Sequence, residues 1–211
     1  MKRTRGRPKQ YDESSVIQAA AFVFWSKGFS ATSLDDLSAA MGMTRPSIYN
    51  AFGNKNDIYR KALSSYCGQI DNGLDKVFND SLALHPALIS FFNQAIDVYC
   101  GSQPAMGCLM VCTAPSEALS HPDVGEDLKS LIHRLDRRFC ERLEKAQDEG
   151  VLSKKACPKL SAKLLQATLQ TLALRARAGE SKSSLRKLAR YAVITIAGEG
   201  QDLDRTHAVA H

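Results

Sequence analysis

Within twelve positions the chain gathers Thr44, Arg45, Ser47, Tyr49, Asn50 and Lys55. None of these is a nucleophile set beside a general base; they are hydrogen-bond donors and acceptors. An arginine can place two N–H groups on guanine O6 and N7, and an asparagine can pair with adenine. The hydroxyls of Thr44, Ser47 and Tyr49 suit phosphate oxygens, and Lys55 adds a cation beside helix-start amides that already attract phosphate. The chemistry implied is recognition of a polyanion that also carries base edges. Signatures of catalysis are missing: the sequence has no P-loop, nucleotide-binding GxGxxG, metalloprotease HExxH or nucleophile-elbow GxSxG pattern. His85, His121 and His133 have no evident triad partner, and His207 and His211 sit in the tail. The expectation is a protein that is not an enzyme, with no cofactor and no metal site.

Two short helices around Gly42 must position these residues. Thr32 or Ser33 is placed to cap a helix carrying Asp35 and Asp36 in its first turn, where carboxylates favour the helix dipole. Gly42 breaks it, and Thr44 caps the next helix, which has Pro46 in its first turn and Ile48 and Phe52 on its inner side. Residues 33 to 52 thus read as a helix-turn-helix, the second helix being the one that enters a major groove. A preceding helix runs from Ser14 and Ser15 to Gly28, and Asn54 with Asp57 caps a longer fourth helix through Ile70.

Helical periodicity continues beyond residue 80, with helices expected at about 86 to 101, 106 to 119, 123 to 149, 158 to 178 and 182 to 198. No segment alternates with a strand's period of two. The predicted class is all-α: an N-terminal three-helix helix-turn-helix domain plus a larger helical-bundle domain. The expected divisions are a basic flexible arm at 1–11, the helix-turn-helix at 12–55, the bundle at 56–200 and a disordered tail at 201–211. The last two helices carry wide apolar stripes, including Leu160, Leu164, Leu165, Leu169 and Leu172, then Leu185, Leu188, Ala192, Val193 and Ile196. Part of that surface is expected to join two copies, since open helix pairs form symmetric four-helix bundles.

The net charge of +6 is unevenly placed. Residues 1 to 60 hold nine Lys/Arg against five Asp/Glu, and five of the first nine residues are Lys or Arg. Arg5-Gly6-Arg7-Pro8 resembles an AT-hook core, so Arg5 and Arg7 are expected in a minor groove. No apolar run approaches the roughly 18 residues that cross a bilayer, and no apolar stretch follows the basic start. The expectation is a soluble, cytoplasmic protein with no membrane partner. Six cysteines lack any CxxC pair, which argues against a zinc finger or a secreted disulfide scaffold.

Residues 12 to 62 resemble the DNA-binding domain of the TetR family of transcriptional regulators. The match lies in Phe29 to Ser33, in Leu37 through Phe52 and in Lys55, and the run from Gly42 to Lys55 is its most specific part. The resemblance implies DNA contacts from Thr32, Thr44, Arg45, Pro46, Ser47, Tyr49, Asn50 and Lys55. It also implies a homodimer on a palindromic operator in double-stranded DNA, with repression relieved by a small-molecule inducer. A cavity among helices four to eight would serve the inducer, with Ile70, Ile96, Tyr99, Cys112, Leu135 and Leu169 as candidate walls. Few charges on those faces favour an apolar or aromatic effector. Two alternatives stand beside this reading. Cys108 and Cys112, one helical turn apart, could respond to oxidants or electrophiles, although buried structural cysteine is the commoner case and no Lys, Arg or His is evident nearby. A DNA-binding protein that takes no ligand is the other.

Overall fold

The computed structural model describes residues 11–78 and 82–198. Every regular element among them is a helix: α1 (Glu13–Lys27), α2 (Leu34–Met41), α3 (Arg45–Phe52), α4 (Lys55–Val77), α5 (Leu84–Tyr99), α6 (Leu109–Glu117), α7 (Pro122–Asp148), α8 (Pro158–Arg177) and α9 (Lys182–Ala197). The predicted arm, with Arg5 and Arg7, and the predicted tail lie outside the described residues. No described helix is long and apolar enough to cross a membrane.

The chain divides into two compact units after Tyr66. The sequence suggested residue 55, where the glycine-asparagine break falls. α4 continues unbroken past that point, and its first turns bury Ile58, Tyr59, Ala62, Leu63 and Tyr66. In the first unit these residues meet the inner faces of α1 to α3, which contribute Val16, Ile17, Ala20, Phe24, Leu37, Met41, Ile48 and Phe52. The Tyr59 ring lies 4.9 Å from that of Phe24 and 5.0 Å from that of Phe29, so an aromatic cluster joins α4 to the end of α1.

Polar side chains set where these helices begin. Asp12, two residues before the expected Ser14, caps α1 by accepting from the amides of Ser14 and Ser15. Ser33, rather than Thr32, caps α2: its hydroxyl accepts from the Asp36 amide at 3.1 Å while Asp36 Oδ2 accepts from the Ser33 amide at 2.9 Å. Gly42 ends α2 at φ 61°, a left-handed backbone that β-carbon-bearing residues enter only at a cost. Asn54 and Asp57 cap α4 reciprocally, as their spacing predicts.

In the second unit α7 packs on α6 and α8, α5 on α8 and α9, and α8 on α9. Phe139 of α7 sits at the centre, fully buried, with its ring 5.5 Å from Phe91 and 5.6 Å from Phe78. α6 begins at Leu109 rather than 106. Gly107 adopts φ 68°, and an added Cβ would run into the Ala173 carbonyl oxygen, so the chain reaches α6 through a close approach to α8. The expected stripe on α8 also splits: Leu165, Leu169 and Leu172 are buried, whereas Leu160 and Leu164 are exposed.

Two capping carboxylates tie the first unit to pH. The Lys27 ammonium, then the Ser33 amide and hydroxyl, hold Asp36 at a pKa of about 2, and bonds from Ser15 and Ser14 hold Asp12 at about 2. Both lie below the ordinary carboxylate value of 3.8. The unfolded chain therefore binds these protons first, so the stabilisation is complete above pH 3.8 and is lost as pH falls through about 2. Urea unfolding should show Asp36→Asn less stable than wild type at pH 7, with the gap closing at pH 2; a gap independent of pH would contradict this assignment.

Candidate nucleic-acid interface

The turn from Gly42 to Thr44 fixes how α3 leaves α2. The Gly42 and Met43 amides both donate to the Ser38 carbonyl, and the Ser38 hydroxyl donates back to the Met43 carbonyl. Thr44 then caps α3: its Oγ1 accepts from the Ser47 amide at 3.4 Å and lies 2.9 Å from the Ser47 hydroxyl. Pro46 occupies the first turn, where its missing N–H costs little. Ile48 and Phe52 turn inward at 0% and 3% exposure and anchor the helix.

The opposite side of α3 is open. Thr44, Arg45, Pro46, Ser47, Tyr49 and Asn50 are all exposed, Tyr49 by 47%, so the hydroxyls, the amide and the guanidinium form one continuous polar surface over an apolar underside. Six of the eight expected contact residues within the described chain therefore lie open at α3.

Thr32 and Lys55 do not. Thr32 is 2% exposed, and its hydroxyl donates to the Gly28 carbonyl at 2.6 Å, which secures the turn between α1 and α2. Lys55 Nζ donates to the carbonyls of Phe29 and Thr32, each at 2.9 Å, and stands 4.3 Å from the centre of the Phe29 ring. Both side chains are committed to the fold, and a phosphate would have to compete with those bonds. Arg45 is also engaged: Nε donates to Asp35 Oδ1 at 2.8 Å and Nη2 pairs with Asp35 Oδ2. Sequence spacing gave no hint of this pairing, because the two residues lie ten apart across the turn.

The expected effector residues are scattered through the second unit's packing. Ile96, Tyr99, Leu135 and Leu169 are buried at 0 to 6% exposure, and Ile70 and Cys112 are half-buried. Two surface clefts of about 580 and 710 Å³ have different walls: Asp75, Phe78 and the basic face of α7 line one, and Cys140, Cys157, Leu160 and charged residues of α7 and α8 line the other. Burial pushes the Cys67 thiol up to about 11 and raises Cys112, and the Tyr99 phenol rises well above its ordinary range through burial beside Cys108 and Cys112. The sequence shows no cation near Cys112, yet the fold brings Arg177 to it, as it brings Arg134 to Cys67; in both, desolvation outweighs the cation. No group of His, Cys, Asp or Glu suited to a metal ion occurs among the described residues.

An open polar face on a short helix, buttressed by a second helix across a glycine turn, defines the helix-turn-helix class of regulator. Residues 16–62 match the family model described as "Bacterial regulatory proteins, tetR family". The chain is 27% identical over 190 residues to the HTH-type transcriptional repressor ComR of Escherichia coli K12, which covers 90% of each chain. Its fold superposes with a TM-score of 0.81 and 25% identity on the TetR-family regulator CifR, solved as a cysteine mutant with 26-bp operator DNA, over 89% of this chain and 98% of that one. A TetR regulator from Chloroflexus aurantiacus shares the fold at a TM-score of 0.75 and 19% identity, covering 85% and 92%. Residues 16–62 thus carry the features of a TetR-family DNA-binding domain, and most of the chain is similar to TetR-family transcriptional regulators.

A test of the Lys55 assignment follows from its bonds. Lys55→Ala should lower the unfolding free energy by about 1.5–3 kcal/mol, the range for hydrogen bonds to a charged group. Thermal or urea unfolding of the variant without any nucleic acid measures this; unchanged stability would return Lys55 to the list of free surface cations.

Proposed function

We propose that the chain represses transcription as a homodimer, placing two copies of α3 in successive major grooves of a palindromic operator and leaving it when a small molecule binds. The observation that carries this reading is the continuous exposed face of α3, Thr44 to Asn50, above buried Ile48 and Phe52. In this reading Arg45 and Asn50 address base edges, and Thr44, Ser47 and Tyr49 address phosphate. ComR carries the name of a repressor, and CifR was solved on its operator, which favours the same reading here.

The dimer is proposed to form through α8 and α9. Leu160, Leu164 and Leu174 are 61%, 56% and 53% exposed, and at the helical repeat of 100° per residue they fall in one stripe on α8. Tyr191 on α9 is 71% exposed, and Leu188, Ala192 and Ile196 are only half-covered. These two faces together have the makings of a four-helix interface. The effector is proposed to be small and apolar or aromatic, and to enter the second unit by displacing the packing around Ile96, Tyr99 and Leu169. The raised thiol pKa values weigh against Cys112 as a thiolate sensor at neutral pH.

Selection from a randomised duplex pool should return a two-fold symmetric motif. Arg45→Ala should lose about 1–3 kcal/mol on the selected duplex and relax one base position. Equal losses on random duplex would contradict base reading. Leu164→Glu should shift the protein from dimer to monomer in sedimentation, by at least about tenfold in dissociation constant, since a buried leucine contributes about 1.5–3 kcal/mol. An unaltered dimer would move the interface elsewhere.

A further inference from the structure

Asp35 grips Arg45 along one particular edge. The bonds run from Nε to Oδ1 and from Nη2 to Oδ2, so the carboxylate takes the side of the guanidinium nearest the chain and Nη1 takes no part. Arginine has five N–H donors in a rigid fork. Two are used by Asp35, and the end edge formed by Nη1 and the second hydrogen of Nη2 is left. That end edge presents two parallel N–H groups that match guanine O6 and N7, and with the side edge taken it is the bidentate edge still open. A carboxylate on the side edge does not compete with a guanine on the end edge; it fixes the direction in which the end edge points.

The pair is open to water, with the side chains 54% and 71% exposed, so its contribution to fold stability is small. Asp35 also stands in the first turn of α2, on a short helix whose direction is set by the Ser33–Asp36 capping box. Its short side chain springs from helical backbone, and a long, flexible arginine held at two points loses part of its rotamer freedom before a ligand arrives.

We propose that Asp35 is a specificity-determining residue: it positions Arg45 so that the Nη1–Nη2 edge reads one guanine in each half-site. This rests on the reading of α3 as the base-reading helix. It predicts that Asp35 governs which base is chosen more than how tightly duplex is held. Removing a carboxylate from a surface that faces phosphates should leave affinity for random duplex unchanged or higher.

The experiment is parallel selection from a randomised duplex pool with wild type, Asp35→Ala, Asp35→Asn, Arg45→Ala and the double variant Asp35→Ala/Arg45→Ala, each first checked for an unaltered melting temperature. Wild type should enrich guanine at one position of each half-site. Asp35→Ala should keep the rest of the motif while its preference for that guanine over other bases falls about tenfold, of the order of one bidentate contact. Asp35→Asn, which accepts one bond instead of two, should fall between, and Asp35→Ala should change nothing further once Arg45 is alanine. Retention of the guanine by Asp35→Ala, or a uniform loss over all duplexes with the preference intact, would overturn the proposal while leaving base reading by α3 standing. If wild type enriches no symmetric motif, the proposed function itself falls, and this inference with it.

Discussion

The Lys55 ammonium, at the first turn of α4, donates to the carbonyls of Phe29 and Thr32 and covers the face of the Phe29 ring. These bonds join the end of the α1–α2 connection to the start of α4, and the whole of α2, the glycine turn and α3 lies in the loop they close. A hairpin of two eight-residue helices has little stability of its own, because isolated helices that short are marginal in water. Its geometry must come from what brackets it. Lys55 donates to two carbonyls at the end of a turn, that of Phe29 also accepting from the Thr32 amide, and its ammonium stands over the Phe29 ring, which in turn packs on Tyr59 and Phe24.

With the bracket closed, the direction of α3 follows from a few local choices. Gly42 allows the left-handed residue, Ser38 gathers the turn's amides, and Thr44 restarts the helix. Ile48 and Phe52 then commit one side of α3 to the core, which leaves no option for the other side except exposure. Acidic groups nearby are neutralised individually: Asp36 by Lys27, and Asp35 by Arg45. An approaching polyanion therefore meets partnered carboxylates rather than bare ones.

Much of this was legible in the sequence because short-range rules govern it. Glycine at a helix end, a hydroxyl or carboxylate at a helix start and apolar spacing of three to four residues predict α2, α3 and the caps of α4 from residues that are neighbours in the chain. The exposed face of α3 followed from the same periodicity. What failed to show were links between distant positions: Lys55 with Phe29, Arg45 with Asp35, Arg177 with Cys112. No local pattern encodes a bond across 26 residues, so nothing near Lys55 in the sequence shows its tie to Phe29, whereas Thr32 is held by a bond to Gly28 only four residues away. The start of α6 was misjudged for a similar reason, since Gly107 answers to a carbonyl of α8 and not to its own neighbours. The wide stripe on α8 concealed two faces, one buried and one exposed, because apolarity alone does not say which partner covers it.

The open face of α3 is the surface proposed to meet DNA. Amide hydrogen exchange of the full-length protein, read by mass spectrometry with and without a duplex obtained by selection, tests it most directly. Slowing on DNA addition should centre on peptides covering residues 33 to 55, be strongest at the Thr44–Asn50 segment, and be absent with a scrambled duplex at moderate salt. Slowing confined to α5 through α9, with residues 33 to 55 unchanged, would contradict it.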